Sequence, residues 1–122
     1  MANRKMSLSE EGKKILDLLV DSIEVDRPLA VKVALAKGIA ISDGPVLEDY
    51  SGGKNKWTIP DHIIKEKEFL LFKHLIINEV HQALNEDDLH KHIIAFIEKG
   101  LRKLQEELNN KTSMEDARLV IL

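Results

Sequence analysis

The chain has 122 residues and a mass of 13.8 kDa, with 43% apolar and 32% charged side chains; that size supports one hydrophobic core, and the mixture excludes collagenous or wholly disordered chains. It contains no cysteine, which removes disulfides, thiolate metal ligands and a thiol nucleophile and suits a reducing cytoplasm. Eighteen basic against 21 acidic side chains leave a net charge of −3, so a single copy lacks the strongly basic balance of an isolated nucleic-acid binder.

The first residues, MANRKMSLSEEG, lack the apolar core of a targeting segment, and no apolar run approaches the roughly 20 residues that span a bilayer. The expectation is a soluble, cytoplasmic protein of bacterial type. In KMSLS, Met6 and Leu8 alternate with Lys5, Ser7 and Ser9, the period of a short strand. Ser9 then precedes Glu10 and Glu11, and Ile15, Leu16, Leu19 and Ile23 share one side of a helix predicted over about Glu10 to Ser22. After a break at Glu24 to Asp26, Asp26 is placed to cap a second helix, about Arg27 to Ile41, with Pro28 in its first turn and small residues Ala30, Ala34 and Gly38 along its stripe.

Turn signals at Asp43-Gly44-Pro45 and Gly52-Gly53 mark one long loop from Ser42 to Trp57. Thr58 is expected to cap a third helix reaching about Leu84, with Phe69, Phe72, Ile76, Val80 and Ala83 on one stripe. Ile64, Leu71, Leu75 and Ile77 widen that stripe, so this helix is expected to be the central, most buried one. Asn85, followed by Glu86, Asp87 and Asp88, caps a fourth helix. Its apolar phase runs unbroken through Gly100 to about Leu108, with Gly100 allowing a close helix approach. The last residues, NNKTSMEDARLVIL, read as a polar linker and an apolar end that must dock, dimerise or fray.

Catalytic signatures are missing. There is no G-x-S-x-G, and the phosphate-loop likeness of Gly52-Gly53-Lys54-Asn55 fails, because Glu48 stands where a glycine is needed and Asn55 where a Ser or Thr would bind magnesium. The five histidines have no zinc-site spacing: His74 and His81 share a face, His90 and His92 do not, and no H-E-x-x-H occurs. Glu86, Asp87 and Asp88 are explained by the dipole of the helix they open. No catalytic residue, cofactor or metal is expected.

The N-terminal third has an order of its own: alternating strand, helix, tight break, second helix. That is the order of a ribbon-helix-helix module, in which strands of two chains pair, outward side chains of the ribbon enter a DNA groove, and amides at the start of the second helix meet phosphate. With Met6 and Leu8 inward, Asn3, Lys5 and Ser7 point outward and Arg4 reaches for the backbone. Other accounts compete. Lys13 stands four before Asp17 and Lys14 four after Glu10, as surface helix pairs do. Asp26 as a cap occupies the amides a phosphate would use, although Arg27 and Lys32 offset its charge. Lys54 and Lys56 precede Trp57, whose ring either stacks on an exposed base or anchors the loop on the core. Residues 1 to 42 hold seven bases against six acids, and residues 43 to 122 eleven against fifteen, so any basic face lies toward the N-terminus.

The strand-to-helix start RKMSLSEEGKKIL, the run VKVALAKGIAIS, the loop closing on W-T-I and the segment FIEKGLRKL follow one another in an order and spacing that resembles the DndE family of DNA sulfur modification (phosphorothioation) proteins, from about Arg4 to Leu108. Two positions depart from that pattern: Ser7 stands where a basic strand residue is expected, and the second helix opens with Asp-Arg-Pro-Leu rather than a Thr-Pro-Asn type of start. The resemblance implies a non-catalytic DNA-binding subunit, homo-oligomeric and tetrameric, that prefers nicked duplex DNA and works beside the sulfur-transfer and ATPase members of its system. Repeating a modest basic patch in an oligomer supplies phosphate neutralisation that one chain of charge −3 cannot.

The expectation is therefore a mainly α-helical domain over residues 1–108 with a short N-terminal strand and a ribbon-helix-helix-like start, followed by a polar linker and tail over 109–122. Its DNA-contacting candidates are Arg4, Lys5, Ser7, Lys13, Lys14, Arg27, Lys32, Lys54 and Lys56. The alternatives are a protein-protein adaptor or scaffold of a modification complex, and a ribbon-helix-helix autorepressor reading a palindromic operator. No membrane partner is expected.

Overall fold

The computed structural model describes residues 6–42, 57–60, 63–81 and 83–110. In chain order the elements are β1 (Ser7–Leu8), α1 (Glu10–Ile23), α2 (Arg27–Ala40), β2 (Trp57–Thr58), α3 (Glu66–Val80) and α4 (Glu86–Asn109). The chain is mainly helical with a short N-terminal strand, as its periodicities predict. The tail expected to begin at residue 109 starts one residue inside α4, and residues 111–122 lie outside the described part.

Three helix starts follow from side-chain caps legible in the sequence. The Ser9 hydroxyl accepts the Gly12 N–H at 3.0 Å, the Asp26 carboxylate accepts the Leu29 N–H at 2.9 Å, and the Asn85 side-chain oxygen accepts the Asp88 N–H at 2.8 Å. Each satisfies a backbone donor left over at a helix N-terminus and contributes about 1 kcal/mol. Glu24, with φ 55° at the end of α1, turns the chain through the left-handed region, so α2 begins within three residues.

Buried residues from all four helices and from the segment around β2 form one contiguous core. Its centre is α4, which touches α1, α2, α3 and β1 and buries Leu89, Ile93, Phe96, Ile97, Leu101 and Leu104. The tightest packing is between α2 and α4. A Cβ at Gly38 would fall on the Phe96 carbonyl oxygen, and one at Gly100 on that of Ala34, so the two helices cross backbone to backbone. The close approach expected at Gly100 is thus present, with Gly38 as its counterpart on α2.

The third helix departs from expectation in three respects. It begins at Glu66 rather than after Thr58. Trp57 and Thr58 instead pair antiparallel with β1, in the register Ser7 with Thr58 and Leu8 with Trp57, and the Ile59 N–H donates to the Met6 carbonyl at 2.7 Å. The Ile63 N–H donates to the Pro60 carbonyl, and Ile59, Ile63 and Ile64 enter the core before the helix starts. The helix also ends at Val80, where His81 adopts φ 57°, rather than near Leu84. Finally, it is not the most buried helix. Only Phe72, Ile76 and Val80 of α3 are buried, while Leu70, Leu71 and Leu75 stay exposed, because the described elements pack against one side of this helix only.

A polar tie holds α1 against α4. The Glu98 carboxylate is fully buried and accepts the Ser9 N–H at 2.7 Å, the Ser9 hydroxyl at 3.0 Å and the Arg102 guanidinium at 2.7 Å. In a capping box the second half of the cap is an acid three residues after the serine. Here that position is Gly12, and a Cβ there would collide with the Glu98 carboxylate that takes over the role from α4. Among the described residues, no helix is long and apolar enough to cross a membrane.

Candidate nucleic-acid interface

The β1–β2 ladder sets the geometry of the N-terminal face. Residues directly opposite in an antiparallel pair point to the same side. Leu8 is fully buried, so Trp57 opposite it turns inward, half-buried, and packs on the core. Ser7 and Thr58 take the other side, with their hydroxyl oxygens 3.3 Å apart. Ser7 therefore has the outward orientation expected of it, and its strand partner is β2 of the same chain.

Two cations converge on the Trp57 ring. The Lys13 ammonium lies 5.7 Å and the Arg27 guanidinium carbon 5.8 Å from the ring centroid, within the range of cation–π attraction. Both also bind Asp17, Lys13 at 2.6 Å and Arg27 at 2.8 Å, so one carboxylate is shared between two cations. These contacts, led by the Lys13 hydrogen bond, hold the Asp17 carboxyl below the usual aspartate range. The cluster of Lys13, Arg27, Asp17 and Trp57 keeps one net positive charge. Lys13 and Asp17 form the helix pair that their spacing allows. Arg27 joins it through the tight α1–α2 turn, which no helical spacing reveals.

Among the described residues, Lys32 and Lys14 are not gathered with this cluster. Lys32 binds Glu68 of α3 at 3.0 Å, and that carboxyl is lowered first by the Lys65 backbone N–H and then by Lys32. Lys14 is exposed one residue further round α1 and forms no ion pair among the described residues. Arg4, Lys5, Lys54 and Lys56, together with the Gly52–Asn55 phosphate-loop likeness, lie outside the described residues. The amide at the start of α2 that a phosphate would use is already bound by Asp26, as the competing account of that cap has it.

His90 donates from Nδ1 to the Glu86 carbonyl at 2.7 Å and His92 from Nδ1 to that of Asp88 at 2.8 Å, both back along their own helix. No group of His, Asp and Glu side chains suited to a metal ion occurs among the described residues. Two pairings of structural weight carry no local sequence signal, Thr58 with Ser7 and Glu98 with Ser9. The FIEKGLRKL segment holds Glu98, but nothing in its local pattern points to α1.

Comparison with protein-family models, with curated proteins and with solved structures finds no match to this chain.

Proposed function

We propose that this chain is a non-catalytic DNA-binding subunit of a bacterial DNA phosphorothioation system, acting in the cytoplasm as a homo-oligomer, in the tetramer that the resemblance implies, and preferring nicked duplex DNA. The observation that carries the reading is the convergence of Lys13 and Arg27 on the Trp57 ring beside the β1–β2 ladder. A half-buried aromatic ring bordered by two cations is a surface on which phosphate neutralisation and contact with an exposed base coincide, and a nick offers both. Lys14 adds an exposed charge on α1 that forms no ion pair among the described residues. Because Asp17 cancels one charge of each cluster, several copies are needed to match a run of phosphates. Lys5, Arg4, Lys54 and Lys56 belong to the same proposed face by their sequence positions.

A second reading, a protein-protein adaptor of the same kind of complex, is favoured by the exposed Leu70, Leu71 and Leu75 of α3 and by the net charge of −3. Mobility shift of the full chain on intact, nicked and single-stranded DNA of one sequence, over a range of salt, separates the readings. A DNA subunit binds nicked duplex tightest and loses affinity steeply with salt. Absence of binding at low salt leaves the adaptor, and preference for one operator over nicked random DNA points to a repressor instead.

A further inference from the structure

Helix α3 carries a ridge of four residues spaced by four: Lys67, Leu71, Leu75 and Glu79. Leu71 is 58% and Leu75 41% exposed, Lys67 is exposed and Glu79 half-buried, so the ridge borders the outward side of a helix whose opposite side meets the core. Among the described residues neither Lys67 nor Glu79 is ion-paired, although the other ion pairs engage cations on α1, α2 and α4. Each also stands at the wrong end of its own helix. Lys67 lies in the first turn, where the dipole disfavours a cation, and Glu79 in the last, where it disfavours an anion.

We propose that this ridge is a two-fold interface at which α3 packs antiparallel against α3 of a second copy. The ridge is self-complementary under that operation. When Leu71 faces Leu75 of the partner subunit, Lys67 falls opposite Glu79 of the partner subunit, and both relations occur twice. The antiparallel arrangement also sets each Lys67 beside the negative end of the partner helix and each Glu79 beside the positive end, removing the dipole conflict. A two-fold contact requires one patch that complements itself, which a K-x3-L-x3-L-x3-E ridge does and a ridge of like charges does not. The inference deepens the assembly part of the proposed function, and its test reads mass rather than DNA binding, so either can fail alone.

The test is light scattering of the full chain across a concentration series, with circular dichroism to confirm that helix content is unchanged. Lys67→Glu and Glu79→Lys each place like charges across the interface twice and are expected to weaken association about tenfold or more. The double variant Lys67→Glu/Glu79→Lys restores opposite charges and regains it. Mixing the two single variants yields a mixed pair of the original strength, since every contact is then complementary. Leu71→Asp with Leu75→Asp gives a lighter, still helical species. The proposal is overturned if the unaltered chain is a single subunit at about 100 µM, where a pair with a Kd on the order of 1 µM would be mostly associated. It is equally overturned if the single charge reversals leave the mass unchanged, or if the double variant fails to recover.

Discussion

Glu98 completes the N-terminus of α1 from a different helix: its buried carboxylate accepts the Ser9 N–H at 2.7 Å while the Ser9 hydroxyl donates to it at 3.0 Å and caps Gly12. The strand, α1 and α4 are thereby locked by one side chain. Glu98→Ala leaves the Ser9 amide without its buried acceptor and removes the carboxylate bound by Arg102, and is expected to lower stability by about 3 kcal/mol. Ser9→Ala removes the cap and one of the three bonds, and is expected to cost about 1 kcal/mol. Urea unfolding followed by circular dichroism measures both. Equal losses would mean that the tie to α4 contributes little beyond the cap.

Gly38 and Gly100 offer a second test, because propensity and packing predict opposite signs. Alanine in place of glycine inside an exposed helix stabilises by about 1 kcal/mol. At these two positions the added carbon would meet a backbone carbonyl of the facing helix, which cannot swing aside as a side-chain end can. Gly38→Ala and Gly100→Ala are each expected to destabilise by about 3 kcal/mol or to leave the chain unfolded. A rise in the urea midpoint of either variant would refute the close crossing of α2 and α4.

What was legible from sequence follows the range of the interaction. Ser9, Asp26 and Asn85 were readable as caps because the amide each one binds is three residues away. The α2–α4 crossing is half readable, since a glycine inside a helix whose apolar phase continues across it marks a close approach at Gly100, while Gly38 lies among small residues without standing out. Thr58 and Pro60 carry every local mark of a helix start, yet pairing with β1, about 50 residues earlier in sequence, holds Trp57 and Thr58 extended. At the candidate interface, Lys13 with Asp17 followed from helical spacing, whereas Arg27 reaches the same carboxylate only because the α1–α2 turn folds it back. The wide apolar stripe of α3 reads as a sign of depth, but only part of it is buried. Leu70, Leu71 and Leu75 instead form surface that the other described elements leave exposed.

Acid titration tests the charge cluster. The Asp17 carboxyl is held low by Lys13 and then Arg27, so its folded value lies below its unfolded one. Such a group adds stability above the unfolded value, and the contribution is lost as pH falls through the folded value. Stability is therefore expected to drop below about pH 4, with a smaller drop in Asp17→Asn. The Asp17 side chain is 44% exposed, so the difference is small, and it is read from the midpoints of urea curves at pH 3 and pH 7. An identical pH dependence in the variant would show that the carboxylate is not held by its two cations in solution.

The same aspartate separates a DNA surface from an ordinary ion-paired surface. Asp17→Asn removes the negative charge shared by Lys13 and Arg27 and raises the net charge beside Trp57 by one unit. If phosphate is bound there, the variant is expected to bind nicked duplex several-fold tighter, with a salt slope steeper by about one ion per contacting copy. Lys13→Ala and Arg27→Ala are expected to weaken binding on any sequence. Lys32→Ala should change it little, because the Lys32 ammonium is held by Glu68. The chain has a single tryptophan, so quenching of Trp57 emission on adding DNA reports contact at the cluster itself. Affinities of Asp17→Asn, Lys13→Ala and Arg27→Ala all equal to that of the unaltered chain, with no quenching, would move the DNA contact away from this face.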